Sequence, residues 1–185
     1  MSKRTLALAG FIVLAALTRL VPHPPNIAPI TAMAVFGGIR YGNRLAAIVA
    51  PLLALLLSDV VRQVLYAYGF SPQWGFYSGM EVVYGTTALI ALMASLARGT
   101  RSPAVIAATT FAGSCIFFLA VDFDFWARGT LYPKTMEGLA ACYAAALPFF
   151  GNSMVADLGF AAVLFGAWAL AEATIPALAP VPAKQ

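Results

Sequence analysis

Apolar runs recur along almost the whole chain and are separated only by short polar segments. A bilayer-spanning helix takes about 20 residues at 1.5 Å each, and runs approaching or exceeding that length begin near Thr5, Leu45, Glu81, Pro103 and Ser153. Hydrophobic residues make up 62% of the 185 residues and charged residues only 10%, which leaves too few charges to cover a soluble domain. The sequence therefore predicts an all-α integral membrane protein.

Prolines, glycines and charged residues set the boundaries of six predicted transmembrane helices. These are Thr5–Val21, Ile30–Gly38, Leu45–Tyr68, Glu81–Leu96, Pro103–Val121 and Ser153–Ala173. The first is interpreted as a helix rather than a signal peptide, because no small-x-small cleavage site follows it. The second is short, and a polar loop over residues 122–137 precedes the last part of the chain. We expect one transmembrane domain over residues 1–175 and a flexible cytoplasmic tail over residues 176–185.

The stretch Gly138–Gly166 is apolar but is interrupted by Pro148 and by Gly151-Asn152-Ser153. Its first part, Gly138–Phe149, would be a helix of about 18 Å, which is too short to cross a bilayer. We therefore expect a short half-buried helix before the last crossing, with Asn152 as the cap of the final helix. A break at membrane depth must lie against protein or beside a wet cavity. The sequence thus predicts that this break forms one wall of a solute-binding cavity.

The charged residues predict the orientation of the helices. With the N-terminus in the cytoplasm, seven of the eleven basic residues fall on the cytoplasmic side, as the positive-inside rule expects. These seven are Lys3, Arg4, Arg40, Arg44, Arg98, Arg101 and Lys184. Six of the seven acids fall on the outer half, namely Asp59, Glu81, Asp122, Asp124, Glu137 and Asp157. We therefore expect a multi-pass protein of a bacterial inner membrane, with both termini cytoplasmic and its polar chemistry on the periplasmic side.

Asp59, Arg62 and Tyr66 fall on one face of the third predicted helix, at positions i, i+3 and i+7. A charge deep in a membrane costs about 2.5–3.5 kcal/mol on insertion scales, so Asp59 requires a partner or water. Arg62, one turn away, is the predicted partner. Two interpretations stay open, a structural ion pair and a contact with a bound ligand. Asp157 is predicted to pair with Arg19, with Arg62 or with a ligand.

The two predicted outer loops are rich in aromatic residues, which either form an interfacial belt or fold over a partly apolar ligand. His23, between prolines, and Met80 are the residues that offer a nitrogen or sulfur atom to a metal. The full set of candidate binding residues is His23, Asn26, Asp59, Arg62, Trp74, Met80, Glu81, Tyr84, Asp122, Trp126, Tyr132, Asn152 and Asp157.

Several classes of protein lack support in the sequence. The chain has no Walker motif, no His-Glu-x-x-His, no Gly-x-Ser-x-Gly and no paired histidines for haem, so nothing indicates a conventional enzyme or an intrinsic cofactor. Its basic residues lie in short loops rather than on a soluble module, which argues against nucleic-acid binding. Cys115 and Cys142 lie in apolar surroundings and are predicted to be unpaired.

Short motifs spread over nearly the whole chain resemble those of a known family. They are Pro24-Pro-Asn-Ile-Ala-Pro29, Phe36-Gly-Gly38, Leu57-Ser-Asp59, Leu131-Tyr-Pro-Lys-Thr135, Cys142-Tyr143, Ala146-Leu-Pro-Phe-Phe150, Asn152 and Asp157-Leu158. Together the chain resembles the substrate-binding (S) components of energy-coupling-factor vitamin transporters. Within that group it is similar to the solitary cobalamin-uptake (BtuM-like) proteins.

The resemblance implies a six-helix S-component fold that binds a vitamin at the periplasmic side, most specifically cobalamin or a related corrinoid as the bound substrate. It implies cobalt ligation from the loop between helices three and four, where this chain offers Met80 and no cysteine; His23 is the other candidate ligand. A corrinoid-modifying side activity stays open, as does the choice between an energy-coupling partner and a protein that acts alone. The alternatives are a transporter of another small vitamin or metal ion, and a non-transporting assembly subunit.

Overall fold

The computed structural model of the protein describes residues 2–21 and 27–178, and within these ranges all regular structure is helical. Six α-helices are α1 (Lys3–Leu17), α2 (Ile30–Arg40), α3 (Arg44–Ala67), α4 (Met80–Ala94), α5 (Pro103–Arg128) and α6 (Met136–Thr174). Short 3₁₀ turns, Thr18–Leu20, Ser95–Ala97 and Pro176–Leu178, follow α1, α4 and α6. Four of the helices, α3 to α6, are long and apolar enough to cross a membrane, α4 together with its 3₁₀ turn. The fold is thus an all-helical bundle compatible with a membrane protein.

Side chains that accept hydrogen bonds from free backbone N–H groups set the start of four helices. Ser2, Asn43, Ser102 and Thr135 cap α1, α3, α5 and α6 in this way. Pro103 then occupies the first turn of α5, where its missing N–H costs nothing. The predicted starts of α3 to α5 therefore lie within one residue of the observed ones.

The break predicted within Gly138–Gly166 is wrong. Helix α6 continues for 39 residues through Pro148 and through Gly151-Asn152-Ser153. Proline and glycine are tolerated in helices that cross membranes, because neighbouring helices and side chains can pair with the backbone groups that they free. The first half of α6 is also held against α5, where the Tyr143 hydroxyl donates to the Leu119 carbonyl at 2.7 Å. Asn152 consequently caps nothing and lies exposed on the helix surface.

The second predicted loop, over residues 122–137, is also shorter than expected. Helix α5 runs on to Arg128, so Asp122, Asp124 and Trp126 lie on its last two turns rather than in a loop. An ion pair at spacing i, i+4 between Arg128 Nε and Asp124 Oδ1, at 2.6 Å, stabilises this extension. Only residues 129–135 connect α5 to α6.

Helix α2 lies at the centre of the bundle and contacts all five other helices. Nine consecutive residues, Thr31–Ile39, are buried, so α2 has no exposed face over that length. Glycine permits the closest approach, since a Cβ on Gly38 would lie 2.5 Å from the Ala91 carbonyl oxygen of α4. Phe36 packs edge-to-face against Phe165 and Trp168 of α6, with ring centroids 5.1 and 6.0 Å apart. The core is therefore built around α2.

Charges divide the bundle into two ends. The basic end gathers the start of α1, the end of α2 and the end of α6, because Arg4 pairs with Glu172 and Arg40 donates to the Thr100 carbonyl. The acidic end gathers the end of α1, the second half of α3 and the start of α4. With its 11 residues, α2 is about 16 Å long. Since it ends at the basic end, its N-terminus lies about halfway through a layer of bilayer thickness, which is about 30 Å.

Some of the predictions concern the connection after α1, the end of the chain and the two cysteines. His23, Asn26 and Lys184 lie outside the described residues, as does the predicted tail from residue 179 onward. The first three residues of that predicted tail, Pro176–Leu178, form a 3₁₀ turn instead, and Leu178 is buried. Both cysteines are free, as predicted, and Cys142 is buried.

Candidate functional site

A buried ion pair lies at the acidic end of the bundle. Arg19, in the 3₁₀ turn after α1, approaches Asp59 of α3 with 2.8 Å between Nη1 and Oδ1, and the two residues are 5% and 0% exposed. Arg19 also donates to the Ser58 hydroxyl. Asp59 Oδ1 finds no hydrogen-bond donor of suitable geometry among the described residues, although it is fully buried. Asp59 therefore retains capacity to accept a further hydrogen bond.

Helix α4 and a second arginine complete this polar cluster. The Tyr84 hydroxyl donates to Asp59 Oδ2 at 2.7 Å. Arg62 does not pair with Asp59, contrary to the prediction; its Nη2 donates to the backbone carbonyl of Arg19 at 2.7 Å. Tyr77 lies nearby. Its burial, and to a lesser extent the negative charge of Asp59, raise the pKa of its hydroxyl above the ordinary value. The polar cluster (Arg19, Asp59, Arg62 and Tyr84) thus holds two guanidinium groups and one carboxylate.

The connection between α3 and α4, residues 68–79, folds back over the end of α3 beside the polar cluster. Gln63 Oε1 accepts hydrogen bonds from the N–H groups of Gly75 and Phe76, at 3.0 and 3.3 Å. Trp74 packs against Tyr66 with ring centroids 5.0 Å apart and stays 60% exposed. The loop therefore rests on α3 through one amide side chain and one aromatic pair.

Gly75 is the point at which this loop comes closest to α3. A Cβ at this position would lie 2.0 Å from the Asp59 carbonyl oxygen and 2.5 Å from the Gln63 backbone nitrogen. We expect Gly75→Ala to displace the loop and to cost about 1–3 kcal/mol, the usual range for overpacking. Limited proteolysis between residues 68 and 79 would measure the displacement, with Gly69→Ala, which has open space but a φ of +75°, as a comparison for backbone strain alone. Unchanged cleavage in Gly75→Ala would contradict this contact.

Two cavities flank the loop. One, of about 190 Å³, is lined by Arg19 and Arg62 together with loop residues 70–73. The other, of about 380 Å³, is lined by loop residues 77–79 and by Asp124 and Arg128 of α5. Pockets for small organic ligands generally occupy about 300–1,000 Å³. The larger cavity falls in this range and the smaller one lies below it.

Asp157 belongs to a different polar site, in the middle of the bundle. Its Oδ2 accepts a hydrogen bond from the Ser114 hydroxyl at 2.8 Å, and Asp157 pairs with neither Arg19 nor Arg62, contrary to the prediction. The carboxylate also lies near the Thr31 side chain and the backbone N–H groups of Thr31 and Ala32. These N–H groups are free at the start of α2, where Pro29 offers no capping side chain. Asp157 thus lies at the N-terminus of the half-length helix, where its negative charge complements the helix dipole.

The remaining predicted residues are dispersed around the acidic end. Glu81 forms an exposed ion pair with Arg128. Asp122 lines a cavity of about 110 Å³ together with Asp157. Trp126 donates from Nε1 to the Pro133 carbonyl at 2.9 Å and so holds the connection between α5 and α6. Met80 begins α4 and Tyr132 lies in the connection, both half-buried.

Sequence reasoning missed three contributors to the site. The sequence suggested Arg19 only as a partner of Asp157. A buried carboxylate on α3 nevertheless needs a cation, and Arg19 lies directly after α1. Gln63 and Gly75 carried no signal of their own, because their contact depends on a loop that returns by 12 residues to the helix it leaves.

These features define a helical protein with four candidate membrane spans, a central half-length helix and a buried charged cluster at one end. Among the described residues, no group of three or more histidine, cysteine, aspartate or glutamate side chains is arranged to hold a metal ion. The chain belongs to DUF6580, a family of unknown function whose sequence profile matches residues 1–178. No curated protein and no solved structure matches the chain.

Proposed function

We propose that the protein is a membrane uptake protein that binds a vitamin-sized organic solute at its acidic end. The polar cluster carries this proposal. A buried Arg–Asp pair is costly to desolvate and is a weak source of stability, whereas ionisable residues inside a membrane commonly mark solute pathways. The resemblance to vitamin-binding S components supports the same function.

The charges of the cluster favour a solute with an anionic group. Two guanidinium groups face one carboxylate, and Arg62 and Arg19 both line the 190 Å³ cavity. A carboxylate on the solute would balance the second arginine, since guanidinium matches carboxylate geometry. A donor on the solute would give Asp59 Oδ1 the well-oriented hydrogen bond that it lacks among the described residues, where its ion-pair contact is Arg19 Nη1 at 2.8 Å.

The central helix supports a transport role. Helix α2 begins about halfway through the bundle, and the N-termini of such half-length helices frequently face the solute pathway of membrane transporters. In this protein the Asp157 carboxylate lies near that N-terminus. We propose that the bundle is inserted in the membrane with the basic end in the cytoplasm, because six basic residues and one acid lie there. The acidic end then faces the periplasm.

The size of the cavities favours a small vitamin over a corrinoid. Neither cavity beside the loop reaches the upper part of the range for drug-sized ligands, and a corrinoid is larger still. Binding of cobalamin would require the loop over residues 68–79 to lift away from α3. If cobalamin binds, Met80 offers a thioether ligand to its cobalt.

Growth rescue of vitamin auxotrophs, one vitamin at a time and including cobalamin, tests the proposal. Arg62→Gln is expected to abolish rescue while the protein stays folded, because Arg62 is half-buried and its described hydrogen bond goes to a backbone carbonyl. Arg44→Gln is the matched control, since Arg44 is an exposed arginine at the other end of the same helix. If folded protein in the membrane rescues no auxotroph, or if Arg62→Gln behaves as Arg44→Gln does, the proposal is wrong.

A further inference from the structure

Three arginines surround one carboxylate at the basic end. Arg4 and Arg101 pair with Glu172 at 2.7 and 2.8 Å. Arg40 lies beside them with its guanidinium over the Phe165 ring, 4.7 Å from the centroid. Its Nε is buried and has no hydrogen-bond partner among the described residues. This arginine cluster (Arg4, Arg40 and Arg101) therefore carries two positive charges more than Glu172 balances.

An apolar groove of about 540 Å³ opens beside the arginine cluster, between the start of α5 and the second half of α6. Arg40, Arg101 and Glu172 lie at its polar end, and Ile106 and Leu158 are among its apolar lining. Small residues on α6 leave it unfilled, since a Cβ on Gly166 would meet no atom within 4 Å. The groove thus combines a cationic end with an apolar length that no side chain occupies.

We infer that this groove binds an anionic phospholipid, with the phosphate at the arginine cluster and an acyl chain along α6. The charge is complementary, because the Arg101 side chain is 65% exposed at the polar end of the groove and so is accessible to a phosphate. Basic pockets between transmembrane helices on the cytoplasmic side are recurrent sites for anionic head groups. Arginine is also the residue best suited to phosphate geometry.

The length of the groove agrees with one acyl chain. From Glu172 to Leu158 the helix rises about 21 Å, and one leaflet of hydrocarbon is about 15 Å thick. The groove is therefore long enough to hold an acyl chain across the full thickness of one leaflet. The inference rests on the proposed insertion into a membrane, with the basic end at the cytoplasmic surface.

Native mass spectrometry of the full chain in detergent, titrated with phosphatidylglycerol or phosphatidylcholine, tests this inference. We expect phosphatidylglycerol to bind about 25-fold more tightly, from about a factor of five for each of the two uncompensated charges near the surface. Arg101→Gln should weaken phosphatidylglycerol binding about fivefold. Arg98→Gln should not, because Arg98 is equally basic and exposed but does not line the groove.

A second pair of variants tests the apolar part. Gly166→Leu fills the groove and should abolish retention of the lipid. Gly159→Leu adds the same side chain in equally open space on α6, outside the groove, and should leave binding unchanged.

Three outcomes would overturn the inference. Equal binding of the two lipids would show that the groove does not recognise the charge of the head group. Equal effects of Arg101→Gln and Arg98→Gln would show that the lipid is attracted by the overall positive charge and not by the arginine cluster. A dimer that Gly166→Leu disrupts would assign the groove to a second copy. Vitamin rescue by the same variants tests the uptake function separately from lipid binding. Membrane fractionation tests the insertion on which both proposals rest, so a protein that never enters the membrane fraction would refute both the uptake function and the lipid site.

Discussion

Asp59→Asn is expected to lower the free energy of unfolding by about 3–5 kcal/mol, the usual cost of removing one partner of a buried ion pair. The substitution keeps the shape of the side chain but leaves Arg19 positively charged, with 5% of its surface exposed and no other acid within ion-pair distance among the described residues. Unfolding of detergent-solubilised protein by a denaturing detergent would measure the loss. A loss below about 1 kcal/mol, the level of a surface pair, would show that solvent reaches the Arg19–Asp59 pair.

Two further variants make this experiment specific. Asp124→Asn removes an acid from a partly exposed ion pair on α5, and we expect it to cost less than about 1 kcal/mol. The double variant Arg19→Met with Asp59→Leu removes both buried charges. It should recover most of the stability lost in Asp59→Asn, because hydrophobic residues of similar volume often replace a buried ion pair without loss.

The double variant also separates two functions. In an uptake protein it is stable but fails to rescue an auxotroph, because the polar cluster contacts the solute. In a non-transporting assembly subunit the ion pair would act only by holding helices together. The double variant would then behave as the wild type in every cellular assay.

Gly38→Ala is expected to destabilise the bundle by about 3 kcal/mol, at the top of the usual range for overpacking. A Cβ at Gly38 would lie 2.5 Å from the Ala91 carbonyl oxygen, 2.6 Å from the Ala94 Cβ and 3.0 Å from the Ser95 nitrogen. None of these atoms belongs to a flexible side chain, so α2 and α4 must move apart. Because α2 contacts every other helix, the displacement reaches the whole core.

The same unfolding measurement checks this prediction, with Gly10→Ala as the matched control. Gly10 lies within α1 and has no atom within 4 Å of an added Cβ. Alanine there should be neutral or should stabilise the helix by up to about 1 kcal/mol through its higher propensity. If Gly38→Ala matched Gly10→Ala, the close approach of α2 and α4 would be refuted.

The positions of the helices could be predicted from the sequence because caps and apolar runs are local signals. Asn43 and Ser102 precede apolar runs and cap α3 and α5. The break at Pro148 was a local signal as well, and it failed. Turn propensities measured in water have less influence where an unpaired backbone group has no solvent to bind, and α6 also packs against α5.

The partners within the site could not be predicted in the same way. Arg62 is the nearest cation to Asp59 along the chain, but it lies one turn toward the helix end and instead binds the Arg19 carbonyl. Arg19 is 40 positions away and reaches Asp59 only through the crossing of α1 and α3. Likewise, the role of Asp157 follows from where α2 begins, and no spacing in the sequence encodes that position.

The unbroken helix α6 has a consequence for how the molecule meets a bilayer. Its 39 residues span about 58 Å. Even at a tilt of about 40°, near the steepest observed, a hydrocarbon layer of about 30 Å conceals only about 26 residues. Glu172 is held to Arg4 at the basic end, so the surplus projects at the opposite end. A bilayer around this protein would therefore leave the start of α6 projecting beyond its hydrocarbon layer.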